Sequence, residues 1–254
     1  MKELSNNLDK LVRSLYDRKG RREHGLCVCE GRRCCTELLA ARPDLVKFGL
    51  AAAGEDLTAF PGVEFHTVPP SRFAKLASTI TSQGVLLVAE EPKDGGPGLA
   101  AAVDPFVILL DRIADPGNLG TILRTLRAAG LKTVWLTEGT ADPFSEKAIR
   151  SAVGAQFSLT VERRSSLTDA ASDLVRLGYQ RFYRTEPAGG VDCFVEERLF
   201  DKSVIVFGGE ASGAGALADS QSLHIPMPGG FESLNVAQAL TIIVFEAVRR
   251  RILK

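Results

Sequence analysis

Residues 105–137 read PFVILLDRIADPGNLGTILRTLRAAGLKTVWLT. The stretch opens on PFVILL, a short apolar run of the kind buried on both sides of a sheet. A polar turn, DRIADPGN, breaks it. LGTILRTLRAAG then repeats its apolar residues at helical spacing, with Gly130 as the stop. KTVWLT is again a short apolar strand. Strand, helix and strand within about 33 residues form a βαβ unit, and its two strands must lie parallel.

The same rhythm continues toward the C-terminus. PFSEKAIRSAVG reads as a helix, QFSLTV as a strand and SLTDAASDLVRLG as a helix ending at Gly178. YQRFYRT and SVIVFGG are strands, and residues 234–253 form a last, strongly apolar helix. The pattern predicts an α/β domain whose parallel sheet is covered on both faces. Ligands of such sheets bind in loops beyond the carboxyl ends of strands.

Before residue 100 the elements are less regular. Residues 3–19 have helical spacing at Leu4, Leu8, Leu11, Val12 and Leu15. GLCVCEG, VKFGLAA, VEFHTVPP and QGVLLVAE read as strands, with TELLAARP and SRFAKLAST as helices. These predict a smaller α/β unit. EPKDGGPGLAAAVDP (91–105) has the composition of a linker. It sets expected domains at 1–100 and 101–254.

Composition narrows the class. Hydrophobic residues make up 45% and charged residues 24%, as in an ordinary globular chain. Net charge is zero, so no global field gathers nucleic acid. Yet Lys10 to Arg33 carries eight basic residues against three acids, and Arg249–Arg251 forms a second basic cluster. Such patches can hold phosphates. The five cysteines follow no zinc pattern, and CVCEGRRCC suits buried, reduced thiols. The polar start MKELSNNLDK is unlike a signal peptide, and no apolar run reaches membrane-spanning length. A cytoplasmic location follows as the expectation. The three histidines are isolated, and neither a nucleophilic triad nor HExxH is present.

Three loops after predicted strands could carry chemistry. In DRIADPGNLGTILRT, Asn118 is placed to cap the next helix, while Thr121 and Arg124 share a face away from Ile122, Leu123 and Leu126. In VIVFGGEASGAG, Gly208 and Gly209 allow close backbone approach and Glu210 follows them. This pattern lacks the spacing of a dinucleotide or P-loop phosphate cradle. In IPMPGGFESLNVAQAL, Ser233 reads as a helix N-cap, while Asn235, Gln238 and Thr241 interrupt an apolar helix every third residue. That helix should be buried nearly all round, against the sheet and a partner subunit.

Asn118-Leu119-Gly120 with Arg124, the Gly-x-Glu-x-x-Gly of 208–213, and Ile225-Pro226-Met227 followed by Ser233-Leu234-Asn235-Val236 occur in this order. The set resembles the SpoU (TrmH-like) group of SPOUT RNA 2′-O-ribose methyltransferases over residues 104–250. CVCEGRRCCTELLA and LASTITSQGVLLVAE are similar to that group's N-terminal RNA-binding domain, related to the L30e fold. The resemblance implies a deep trefoil knot in the C-terminal domain, a homodimer and S-adenosyl-L-methionine (AdoMet) as cofactor. It implies that Thr185, Gly208, Ile225, Met227 and Leu234 line the cofactor pocket. It implies catalytic or RNA-contacting roles for Asn118, Arg124, Glu210, Ser233 and Asn235, acting on rRNA or tRNA without a metal. Two other classes remain: a knotted RNA-binding or ribosome-assembly protein, and a doubly wound enzyme for a nucleotide or small acid.

Overall fold

A computed structural model of the chain describes residues 2–79, 81–92, 104–209, 213–230 and 232–253. Most of the predicted linker, 93–103, lies outside these residues. The chain forms two compact units, Met1–Lys93 with Asp142–Ser158, and Asp94–Ala141 with Leu159–Lys254.

The first unit is built on a mixed five-stranded sheet. Its elements are β1 (Lys2–Glu3), α1 (Asn6–Ser14), α2 (Arg18–His24), β2 (Leu26–Glu30), α3 (Arg32–Ala41), β3 (Val46–Ala52), β4 (Phe65–Val68), α4 (Pro70–Leu76) and β5 (Val85–Glu90). The strand order is β1-β4-β3-β5-β2. The single helix expected over 3–19 is two helices. Ser5 caps the first through the Leu8 amide, and the chain turns at 15–17 before α2 begins. Alternation along β5 explains the two cores: Leu87 and Ala89 join one cluster, Leu86 and Val88 the other. Residues 142–158 belong here because Phe144, Ile149 and Phe157 enter the first cluster and buried Arg21 pairs with Asp142 at 2.7 Å. All five cysteines of the chain are free and buried, as expected.

In the second unit the elements are β6 (Phe106–Asp111), α5 (Pro116–Ala128) and β7 (Thr133–Thr137). After them α6 (Glu146–Ala152) belongs to the first unit. The second unit resumes with β8 (Thr160–Arg164), α7 (Leu167–Arg176), β9 (Arg181–Thr185), β10 (Val191–Asp192), β11 (Ser203–Gly208), β12 (Ser220–His224) and α8 (Val236–Arg249). The seven strands lie in the order β10-β12-β9-β11-β6-β7-β8, and every recorded pairing is parallel. All six residues of β6 are buried, which accounts for its unbroken apolar run. The strand expected over QFSLTV instead starts at Thr160, because residues 155–158 form a 3-10 turn. β10 and β12 were not expected. The sequence SQSLH of β12 has no apolar alternation, and pairing with β9 on one side and β10 on the other makes it a strand.

Candidate active site

The register of the parallel sheet brings four strand ends to one edge. Gly208 of β11 stands opposite Asp111 of β6, and Leu223 of β12 opposite Thr185 of β9. Above this edge lies a cavity of about 160 Å³, room for a small organic molecule rather than a few waters. Thr185, Gly208, Ile225, Met227 and Leu234, all expected around a cofactor, line it together, and so does Ser233. Phe207, Leu223, Val236 and Ile243 complete an apolar wall.

The glycines of VIVFGGEASGAG also meet a demand of the chain itself. A Cβ on Gly208 would overlap the backbone of Gly213 and Ala214. The close approach is thus made by the loop's own chain, which folds back in a bridge between Gly209 and Gly213. Asp111 anchors the returning strand of this loop. Its carboxylate accepts from the Gly215 amide at 2.9 Å, the Thr137 hydroxyl at 2.7 Å and the Arg112 guanidinium at 2.9 Å. Burial pushes the Asp111 carboxyl up, but these donors prevail and hold it below the usual carboxylate range. Glu210 lies outside the described residues.

Two expected caps are placed elsewhere. Asp115, not Asn118, caps α5, accepting from the Asn118 amide at 2.8 Å with Pro116 in the first turn. An Asp directly before a Pro carries that signal in the sequence. Asn118 sits inside the first turn, which frees its side chain to reach sideways. Asn235, not Ser233, caps α8, accepting from Ala237 and Gln238 at 3.0 and 3.4 Å. The Asn235 amide group donates to the Asn118 side-chain oxygen at 3.0 Å. Two turns on, the Thr125 and Thr241 hydroxyls pair at 3.2 Å. The polar breaks in the apolar helix therefore join α8 to α5. Within one chain α8 leaves Gln238, Phe245 and Arg249 exposed.

Arg124 is exposed on α5 and is not among the residues lining the cavity. No contact among the described residues holds its guanidinium. The structure thus assembles one group around the cavity and joins Asn118 to Asn235. Ser233 and Leu234 link the two, being in the cavity wall and directly before Asn235.

A model of the SpoU rRNA Methylase family matches residues 105–245. The chain belongs to the SpoU rRNA methylase family. A model of the MRM3-like substrate binding domain matches residues 6–87 of this SpoU-family chain. The 23S rRNA (guanosine(2553)-2'-O)-methyltransferase RlmP of Bacillus subtilis is 32% identical over 96% of this chain and 98% of its own. Among solved structures, the SpoU methyltransferase AviRb from Streptomyces viridochromogenes, in complex with AdoMet, is similar with a TM-score of 0.83. Its identity is 25%, over 98% of this chain and 99% of that one. A structure described as a putative RNA methyltransferase of the TrmH family from Porphyromonas gingivalis has a TM-score of 0.81 and 29% identity, covering 97% of this chain and 99% of that one. The α/β fold with a parallel sheet matches these SPOUT structures. An ordinary doubly wound enzyme for a nucleotide or small acid is thereby set aside.

Sequence reasoning missed Glu186, Pro187, Leu223 and Ile243 in the cavity wall. Glu186 directly follows the predicted strand YQRFYRT, a position that could have drawn notice. Leu223 belongs to a strand without a sequence signal.

Proposed function

We propose that this SpoU-family chain transfers a methyl group from AdoMet to a ribose 2′-hydroxyl of RNA, of ribosomal or transfer type. The observation that carries the reading is the cavity at the carboxyl edge of the sheet, whose wall runs through Ser233 and Leu234 into the Asn235–Asn118 pair. Its residues fit the cofactor. Leu223, Ile225, Leu234 and Val236 offer an apolar face for adenine, while the backbones of Gly208, Gly209 and Gly213 and the Thr185 side chain offer polar groups.

AdoMet supplies an activated methyl on a positively charged sulfur. What remains for the protein is to hold the ribose oxygen in line with that methyl, which is chiefly positioning. Asn118, Ser233 and Asn235 stand where the reacting ribose would meet the cavity, with Glu210 assigned to the same group. Arg124 is the phosphate clamp and stabiliser of the developing alkoxide. A guanidinium keeps its proton at working pH, so it is not the base. The proton leaves through water or another group. Lack of any holding carboxylate among the described residues leaves Arg124 available to a phosphate.

The finer architecture belongs to the same proposal. The segment after β11 passes to the far side of β9 to form β12, a crossing that supports the trefoil knot. Residues 1–100 would be the L30e-like RNA-binding domain, to whose compact unit residues 142–158 are added by the fold. A homodimer through the C-terminal domain would cover Phe245 on α8 and the exposed Phe194 and Val195. Arg250 ties the end of α8 to the latter two by donating to the Glu196 and Cys193 carbonyls at 2.7 and 2.9 Å. No described helix is long and apolar enough to cross a membrane. A cytoplasmic location, where ribosomal and transfer RNA are found, belongs to the same proposal.

Titration calorimetry with AdoMet, followed by methyl transfer to total RNA with mass-spectrometric mapping of ribose methylation, tests the reading. Saturable AdoMet binding and a 2′-O-methylated nucleotide are expected. RNA binding without methyl transfer would favour a knotted ribosome-assembly protein instead.

A further inference from the structure

Among the described residues lining the cavity, Glu186 is the only ionisable side chain. It is the first residue beyond the carboxyl end of β9. Its backbone is pinned, because its amide donates to the Leu223 carbonyl at 2.9 Å. Its side chain is oriented as well. Arg184 Nη2 lies 3.0 Å from Glu186 Oε1, and Arg184 Nε donates to the Ser220 hydroxyl at 2.8 Å. Among the described residues the other oxygen, Oε2, has no protein partner. A carboxylate held by a guanidinium has lost most of its pull on a cation, yet its second oxygen still accepts hydrogen bonds.

The rest of the wall narrows what that oxygen can take. The apolar side chains suit a flat base, and Thr185 spends its hydroxyl proton on the Val206 carbonyl at 3.1 Å. A nucleoside in this cavity therefore has few side-chain acceptors for its two ribose hydroxyls. In dinucleotide-binding parallel α/β sheets an acidic side chain beside the crevice takes that role. We propose that Glu186 is a specificity-determining residue of the donor pocket, accepting hydrogen bonds from the ribose hydroxyls of the adenosyl group. The proposal rests on the donor reading above and adds to it a chemical demand, an intact ribose diol. The ion pair with Arg184 makes the acceptor rigid before the ligand arrives, which limits the entropy lost on binding.

Calorimetry on the full chain with S-adenosylhomocysteine and its 2′-deoxy and 3′-deoxy analogues tests it. The wild type should bind the parent about 10- to 100-fold more tightly than at least one deoxy analogue, the range for a charge-assisted hydrogen bond. In Glu186→Ala that ratio should fall to about 1–3, because the mutation removes the acceptor that tells the parent from the deoxy analogue. Glu186→Gln keeps the shape and one neutral acceptor, so an intermediate ratio is expected from it. That variant also serves as the test if the alanine variant melts at a lower temperature. An unchanged ratio in both variants overturns the proposal while leaving the donor reading intact. Failure of the wild type to bind S-adenosylhomocysteine at all overturns the donor reading and the proposal with it.

Discussion

Asn235→Ala separates the two roles that meet at the start of α8. The substitution removes the acceptor for the Ala237 and Gln238 amides and the donor to Asn118. Loss of an Asn cap costs about 1 kcal/mol, within a range of roughly 0.5–2. Loss of a neutral hydrogen bond adds about 0.5–1.5 kcal/mol, near the low end here because both side chains reach solvent. The total is about 1.5–2 kcal/mol. Ser233→Ala removes no capping bond and should stay within about 0.5 kcal/mol of wild type. The chain's single tryptophan, Trp135, is buried in β7 of the unit that contains α8. Its fluorescence in a urea titration therefore reports on the relevant unit. Asn118→Ala alone and combined with Asn235→Ala should reveal a coupling of about 0.5–1 kcal/mol. In activity, Ser233→Ala should lose methyl transfer while stability and AdoMet binding persist. Equal destabilisation by Ser233→Ala and Asn235→Ala would refute the assignment of the cap.

Other substitutions probe separate parts of the site. Gly208→Ala should abolish AdoMet binding and destabilise by about 1–3 kcal/mol, since the new methyl overlaps backbone that is itself bridged in place. Thermal melting with and without AdoMet checks both effects. Arg124→Lys should leave folding and the AdoMet dissociation constant unchanged but lower kcat/KM by at least tenfold across the pH–rate profile, because an ammonium cannot make the two-pronged phosphate contact. Activity near wild type would argue against the clamp. The Arg249 guanidinium, aided by Arg250, holds Glu246 at about 2 against an ordinary 4.5, even though burial opposes it. A lowered folded value means that this stability is full above about pH 4.5 and is lost as pH falls toward about 2. Glu246→Gln should lack that part of the acid destabilisation, measured as the unfolding midpoint against pH.

Much was legible in residues 105–137 before any coordinates. A β6 buried on both faces must be apolar throughout, and α5 must show one apolar stripe, so local composition reports both. The pocket residues Gly208, Ile225, Met227 and Leu234 came from ordered motifs, and the structure gathers them around one cavity.

Sequence alone determined the α/β class, the parallel pattern, the buried thiols and the three loops, because each depends on periodicity or residue type within about twenty positions. Tertiary structure decided the rest. Asn118 and Asn235 are 117 positions apart, and no local pattern says that one caps α8 while touching the other. β12 is polar and short, and it exists because β9 offers it a free edge. Residues 142–158 join the first unit through Arg21 and Asp142, which stand 121 positions apart. Gly208 is glycine because its own loop returns against it, a steric demand that appears only once the chain has folded back on itself.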